Sequence, residues 1–141
     1  MDSFPFTTRQ RVRFGETDTQ QVVYYANYLL YAEVGRMAFL REIGVDFAGD
    51  LGRLGLDLTI GEASVRYRAP LRFDDEFDIK VRVGEIRRAS FSLEYDVDRA
   101  DGLHCAKVST VQVIIDRAAR RSAAIPAELR ARLETARGEV A

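Results

Sequence analysis

The chain has 141 residues and a mass of 15.9 kDa, the size of one domain that buries about 68–70% of its unfolded surface. Hydrophobic residues make up 47% and charged residues 30%, which excludes a disordered chain. The 21 basic residues nearly cancel the 22 acidic ones, which argues against a general nucleic-acid binder.

One cysteine, Cys105, and one histidine, His104, exclude an internal disulfide, a multi-cysteine metal site and any mechanism that needs two histidines. The segment Met1-Asp2-Ser3-Phe4-Pro5 has no basic region and no apolar run, so no signal peptide is expected there. No apolar run approaches the length of a membrane span. A cytoplasmic address is the default expectation.

In chain order, Thr8–Phe14 alternates loosely and predicts a first strand. Gly15–Tyr25 is irregular, polar first and then apolar. Asn27–Ile43 predicts a helix, with Asn27 placed as its N-cap and Gly44 just beyond its end. Its apolar residues cover most of the circumference, broken by Glu33, Arg36, Arg41 and Glu42, so the helix should be covered on several sides. A stretch with Gly49, Gly52 and Gly55 follows. The period then changes to two, and Leu56–Arg68, Glu76–Arg88, Phe91–Arg99 and Leu103–Asp116 predict strands. Arg88-Ala89-Ser90 and Ala100-Asp101-Gly102 are short connections, which require antiparallel neighbours. Pro126 opens a last short helix at its first position, with Leu129 and Leu133 on one face.

This order predicts a single α+β domain over residues 1–141. A five-stranded antiparallel sheet curls around one long central helix, and a short helix closes the chain. The outer face of such a sheet is expected to keep apolar residues, which a dimer would cover while capping the edge strands.

The chemistry-bearing residues concentrate in Phe14–Tyr28. Two carboxylates, Glu16 and Asp18, precede an apolar turn that leads into the helix start. Free amides at a helix start carry partial positive charge and can polarise a carbonyl. A carboxylate nearby can act as base or nucleophile. Such a pair can cleave an ester or thioester with neither metal nor histidine. On residue type alone, Asp18 also fits a loop acid that satisfies nearby amides. Glu16 reads as solvated or paired with an arginine. Tyr24, Tyr25, Tyr28 and Tyr31 read as core or interface.

The run Asp18, then Val22-Val23-Tyr24-Tyr25-Ala26-Asn27-Tyr28, resembles the hotdog-fold acyl-CoA thioesterases of the 4-hydroxybenzoyl-CoA thioesterase class, above all the branch with the Tol-Pal-associated thioesterases. The resemblance extends from about Thr8 to about Arg117. It implies a hotdog fold and hydrolysis of an acyl-CoA, or of an acyl-carrier-protein thioester, to free acid and thiol. It matches Asp18 to the catalytic carboxylate and the Tyr25 N–H to the amide on the thioester oxygen. Asn27 and Tyr28 match the residues that start the helix, with Tyr24 beside the substrate. Gln21 departs from the pattern, since the family usually has glycine there; its side chain fits either a contact that narrows the site or adds a donor to the substrate, or a tolerated loop substitution. Glu85-Ile86-Arg87-Arg88-Ala89-Ser90-Phe91 resembles the turn with which members of the class contact coenzyme A phosphates, so Arg87, Arg88 and Ser90 are expected on the substrate. Arg66, Arg68 and Arg72 are weaker candidates for the same contact. Tyr24, Tyr28, Tyr31, Phe39 and Phe47 fit either an acyl tunnel or the core.

No cofactor is implied beyond the coenzyme A of the substrate, and no metal. The expected partners are the acyl-CoA or acyl-carrier protein and other copies of the chain, in a homodimer or homotetramer. A non-catalytic acyl-CoA-binding module is the rival reading, and Asp18 separates the two, because a binder needs no carboxylate beside the amides. A dehydratase would need a histidine near an acid, and His104 lies far along the sequence from Asp18.

Overall fold

A computed structural model describes residues 6–138, without the side chain of Phe47. Five long strands, β1 (Phe6–Arg11), β2 (Leu56–Tyr67), β3 (Glu76–Ile86), β4 (Ser90–Arg99) and β5 (His104–Asp116), form one antiparallel sheet in the order β1-β3-β4-β5-β2. A two-residue strand, β6 (Arg121–Ser122), adds to the end of β5. Helix α1 (Asn27–Glu42) lies against the concave face, α2 (Phe47–Gly52) follows it, and α3 (Ala127–Arg137) ends the chain. This is the expected α+β arrangement of a sheet curled around one helix. Among the described residues, no helix is long and apolar enough to cross a membrane.

The strand alternation sorts the two faces. Phe77, Ile79, Val81 and Val83 of β3 and Phe91, Leu93, Tyr95 and Val97 of β4 are buried beneath α1. Gly35 of α1 is required by this packing, because a Cβ there would stand 2.6 Å from Ile79 Cγ2. The opposite face keeps the half-buried Val111, Val113 and Ile115 of β5, as expected, but elsewhere it is charged. It carries cross-strand ion pairs, Arg9–Asp78 at 2.8 Å, Lys80–Asp98 at 3.0 Å and Arg82–Glu94 at 2.8 Å.

Further exposed apolar surface lies on the helix side, along edge strand β2. Ile60 and Tyr67 are 40% and 48% exposed, and Leu29 and Leu30 of α1 are exposed nearby in sequence to the helix start. Within one chain, α1 therefore buries one stripe, Tyr28, Tyr31, Ala32, Gly35, Arg36, Phe39 and Leu40, rather than all sides. Arg36 belongs to that stripe. It donates to the Tyr95 hydroxyl, which is hydrogen-bonded to Thr110 at 2.7 Å, so the buried cation faces a polar row on the sheet.

Helix α1 ends as expected. Gly44 takes φ +85°, the Val45 N–H donates to the Leu40 carbonyl and the Gly44 N–H to the Arg41 carbonyl, the paired closure that a left-handed glycine permits. Four local expectations are corrected. The first strand stops at Arg11, because Arg13 and Glu16 cap a 3-10 turn over Phe14–Glu16 that redirects the chain. Ala26, not Asn27, is the cap of α1, and Asn27 is its first helical residue. Pro126 is likewise the cap of α3 rather than its first residue. Helix α2 forms inside the glycine-containing stretch because Asp46 caps it, accepting from the Gly49 N–H at 3.3 Å.

Candidate active site

Between β1 and α1 the chain makes a small hairpin. Thr17 bridges to Val23, the Asp18 N–H donates to the Val22 carbonyl at 2.9 Å, and the Gln21 N–H donates back to the Asp18 carbonyl at 2.9 Å. This is a turn closed by a left-handed residue. Gln21 occupies that position at φ +65°. The backbone thus keeps the conformation for which glycine is suited, with a side chain in its place. The returning arm is anchored on the segment before β3, where Val22 bridges to Arg72 and the Val23 N–H donates to the Leu71 carbonyl.

Asp18 sits at the tip, half-buried, and its Oδ1 accepts the Gln20 N–H at 2.8 Å. It therefore satisfies a loop amide while its other oxygen stays available. Asp18 lines a cleft of 730 Å³ with Phe14, Gly15, Thr17, Thr19, Gln21, Arg72 and Phe73. Phe14 and Phe73 form an edge-to-face pair at 5.6 Å, and both are exposed. A second cavity of 200 Å³, between α2 and α3, lies at the far end of α1.

Glu16 ties the hairpin to the helix. It is 7% exposed and accepts from the Arg13 N–H at 2.9 Å, the Arg13 guanidinium at 3.1 Å and the Tyr31 hydroxyl at 2.8 Å. Burial alone would raise its carboxyl, but those hydrogen bonds outweigh it and hold the group below its ordinary range. Burial and the same carboxylate push the Tyr31 hydroxyl up. The pairing with an arginine was expected of Glu16; the burial was not. Its backbone carbonyl accepts both the Tyr24 N–H and the Asn27 side-chain amide, each at 2.9 Å.

The Tyr25 N–H stands just before Ala26, the cap of α1. Among the described residues neither it nor the Ala26 N–H has an acceptor, whereas the N–H groups of Tyr24 and Asn27 are bonded. Tyr24 and Tyr25 are exposed, with rings 4.7 Å apart. The Tyr24 hydroxyl is raised by its bond to Tyr25, with burial and the Asp18 carboxylate adding to the shift. Tyr28, Tyr31 and Phe39 are core residues; burial pushes the Tyr28 hydroxyl up to about 12. The Phe47 side chain lies outside the described residues.

Arg87, Arg88 and Ser90 are not brought to Asp18 within one chain. They lie at the end of β3, while Asp18 lies near its start, and 11 residues of strand span about 33 Å. Arg87 is held by Glu85 at 3.0 Å, its N–H donates to the Ser90 carbonyl, and the exposed Arg88 guanidinium has no partner among the described residues. Of the weaker arginine candidates, Arg72 lines the Asp18 cleft, and Arg66 and Arg68 are exposed. Phe14, Phe73 and Tyr67 escaped the sequence reading, because isolated aromatics carry no spacing signal.

His104 and Cys105 point apart, as adjacent strand residues must. Cys105 is buried in the core, and His104 Nδ1 lies 2.7 Å from Asp98 Oδ1 on the charged face. Asp96, Asp98 and His104 form a cluster with metal-ligand chemistry. The Lys80 ammonium already stands 3.0 Å from Asp98, where a cation would otherwise be drawn.

Residues 12–133 match the family profile described as the thioesterase-like superfamily. The chain belongs to that superfamily. The 1,4-dihydroxy-2-naphthoyl-CoA hydrolase of Thermosynechococcus vestitus is 29% identical over 137 residues, 96% of this chain and 94% of that one. The acyl-CoA thioesterase YbgC of Haemophilus influenzae is 26% identical over 129 residues, 92% and 91% of the two chains. The crystal structure of a hypothetical protein from Aquifex aeolicus superposes with a TM-score of 0.84 at 32% identity, covering 92% of this chain and 99% of that one. The fold is the hotdog fold of thioesterase-like proteins, and the superfamily membership supports a thioester hydrolase acting on acyl-CoA.

Proposed function

We propose that Asp18 is the catalytic carboxylate of an acyl-CoA or acyl-carrier-protein thioesterase of the 4-hydroxybenzoyl-CoA thioesterase class, in the Tol-Pal-associated branch. The observation that carries this reading is a carboxylate oriented by a backbone N–H in an open cleft, on the hairpin that leads to an unbonded N–H at a helix start. The thioester oxygen takes the Tyr25 N–H, where the helix dipole stabilises developing negative charge. Asp18 then attacks the carbonyl to give a mixed anhydride, or deprotonates the attacking water. On the first path the thiolate leaves, and water hydrolyses the anhydride to release the acid and return the Asp18 carboxylate; on the second the hydroxide adds to the carbonyl, and the proton taken up by Asp18 passes to the departing thiolate. Gln21 and the exposed Tyr24 flank the thioester end of the substrate, and Asn27 and the buried Tyr28 hold the helix start behind it.

Arg87, Arg88 and Ser90 meet the phosphates of the carrier. Their distance from Asp18 within one chain means that they serve the site of a neighbouring subunit. The apolar helix side of β2 and the unpaired edge of that strand support a homodimer, or a tetramer of two such pairs, acting in the cytoplasm without a bound cofactor. Light scattering that returns a monomer overturns the assembly.

The test of the activity is thiol release from a panel of aliphatic and aromatic acyl-CoAs, wild type beside Asp18→Asn. Release by the wild type and not by the variant supports the reading, and the panel names the acyl class. A folded protein that binds acyl-CoA and releases no thiol from CoA or carrier-protein substrates is a binding module, and the reading fails.

A further inference from the structure

Tyr67 ends β2 on the helix side of the sheet, paired with Ala106 of β5. Its ring stands edge-on to Tyr28 at 5.3 Å and to Tyr25 at 6.4 Å. Its hydroxyl donates to the Tyr25 carbonyl at 3.0 Å. Folding does not demand this bond. Tyr67 is 48% exposed, and a phenol there can be solvated by water at little cost. The consequence of the bond is positional.

The two peptide planes that meet at Tyr25 are each pinned. The plane carrying the Tyr25 N–H has the Tyr24 carbonyl at its other side, and that carbonyl accepts the Asn27 N–H at 2.9 Å. The plane carrying the Tyr25 carbonyl takes the Tyr28 N–H at 3.3 Å from the helix and the Tyr67 hydroxyl from the sheet. The bond from Tyr28 is long, as at a fraying first turn. The bond from Tyr67 crosses from a different element.

We propose that Tyr67 is a positioning residue, whose hydroxyl fixes the Tyr25 backbone so that its free N–H is aimed before substrate arrives. This rests on the reading of Tyr25 as the donor to the thioester oxygen. A donor acts on a developing oxyanion in proportion to how well it is held in place, and small misplacements lower the rate without weakening binding.

Tyr67→Phe in the full chain removes the hydroxyl and keeps the ring. The expected result is a fall in kcat of about tenfold, with KM within about twofold. The melting temperature stays unchanged. The Tyr25 amide resonance moves, and hydrogen exchange at the Tyr28 amide accelerates. Tyr67→Leu also removes the ring packing and lowers the melting temperature, which separates support of the fold from support of the amide. Wild-type kcat in Tyr67→Phe overturns the proposal, as does a loss shared by KM and melting temperature. If the wild type releases thiol from no acyl thioester, the enzyme reading fails by itself. The positioning of Tyr25 is then judged on the amide, and an unmoved Tyr25 resonance with unchanged Tyr28 exchange overturns it.

Discussion

Two segments carry the residues expected to meet substrate, and they hold their side chains differently. The hairpin before α1 closes on itself around Asp18, and side chains and backbone then tie it to distant elements. Glu16 reaches Tyr31, Val23 reaches Leu71, and the Tyr25 carbonyl is held from Tyr67. In the turn between β3 and β4 the backbone is anchored too, the Arg88 carbonyl accepting the Ile125 N–H and the Ala89 carbonyl the Ile114 N–H, but Arg87 pairs with its neighbour Glu85 and the exposed Arg88 guanidinium has no partner among the described residues. The difference follows from the tasks assigned to them. A carboxylate and an amide that act on one carbonyl must be held within a fraction of an ångström. A guanidinium that meets a phosphate is a charged fork on a long side chain, which can settle onto its partner as the substrate binds. The hairpin should therefore respond to substitution in kcat and stability, and the turn in KM.

The largest effect that would break this contrast is at Asp18. Asp18→Asn should lower thiol release by at least about 10²–10⁴-fold, while its melting temperature stays close to wild type, since the amide oxygen can still accept the Gln20 N–H. A variant with wild-type rate removes the carboxylate from the chemistry.

Next comes Glu16→Gln, expected to cost about 1–3 kcal/mol in urea unfolding, because a buried charge-assisted network loses its centre. The pH dependence has a definite sign. The carboxyl is held below its ordinary value in the folded chain, so its contribution is complete above the unfolded value of about 4.3 and fades as pH falls through the lower folded value. Wild type should lose stability over that acid range, and Glu16→Gln should lose less. Equal acid sensitivity of the two proteins would remove Glu16 from this role.

Replacing Arg87 and Arg88 together by alanine should raise KM for acyl-CoA by about tenfold and leave kcat and melting temperature near wild type. A fall in kcat with unchanged KM would place the turn with the hairpin instead.

The smallest effect is at Gln21. Gln21→Gly relieves a left-handed side chain at φ +65° and should stabilise the protein by about 0.5–1 kcal/mol. If the Gln21 amide contacts substrate, thiol release should fall although the protein is more stable. Activity that rises with stability would mark Gln21 as a tolerated loop residue.

The legibility of the site divides along similar lines. Asp18, Tyr25 and Asn27 could be read because they lie within one short segment with a recognisable spacing. Gln21 could be flagged as a departure, but only the structure showed that the backbone keeps a left-handed turn there. Tyr67 and Phe73 were invisible, because they reach the hairpin from other strands. Arg72 was noted for its charge beside Pro70, and its place in the Asp18 cleft was not foreseen.

The sequence alone determined the α+β class, the order of the five long strands and the long helix, and the end of that helix at Gly44. Each follows from local physics: alternation at period two, apolar residues around a helical stretch, and a glycine that tolerates positive φ. Only the tertiary structure decided how charged and apolar residues divide over the outer face of the sheet, that Arg36 and Glu16 are buried against Tyr95 and Tyr31, and that Arg87 stands far from Asp18 in one chain. Those features depend on which residues become neighbours across the fold. Spacing along a chain records periodicity, and it carries no measure of the distances that close when a sheet curls around a helix.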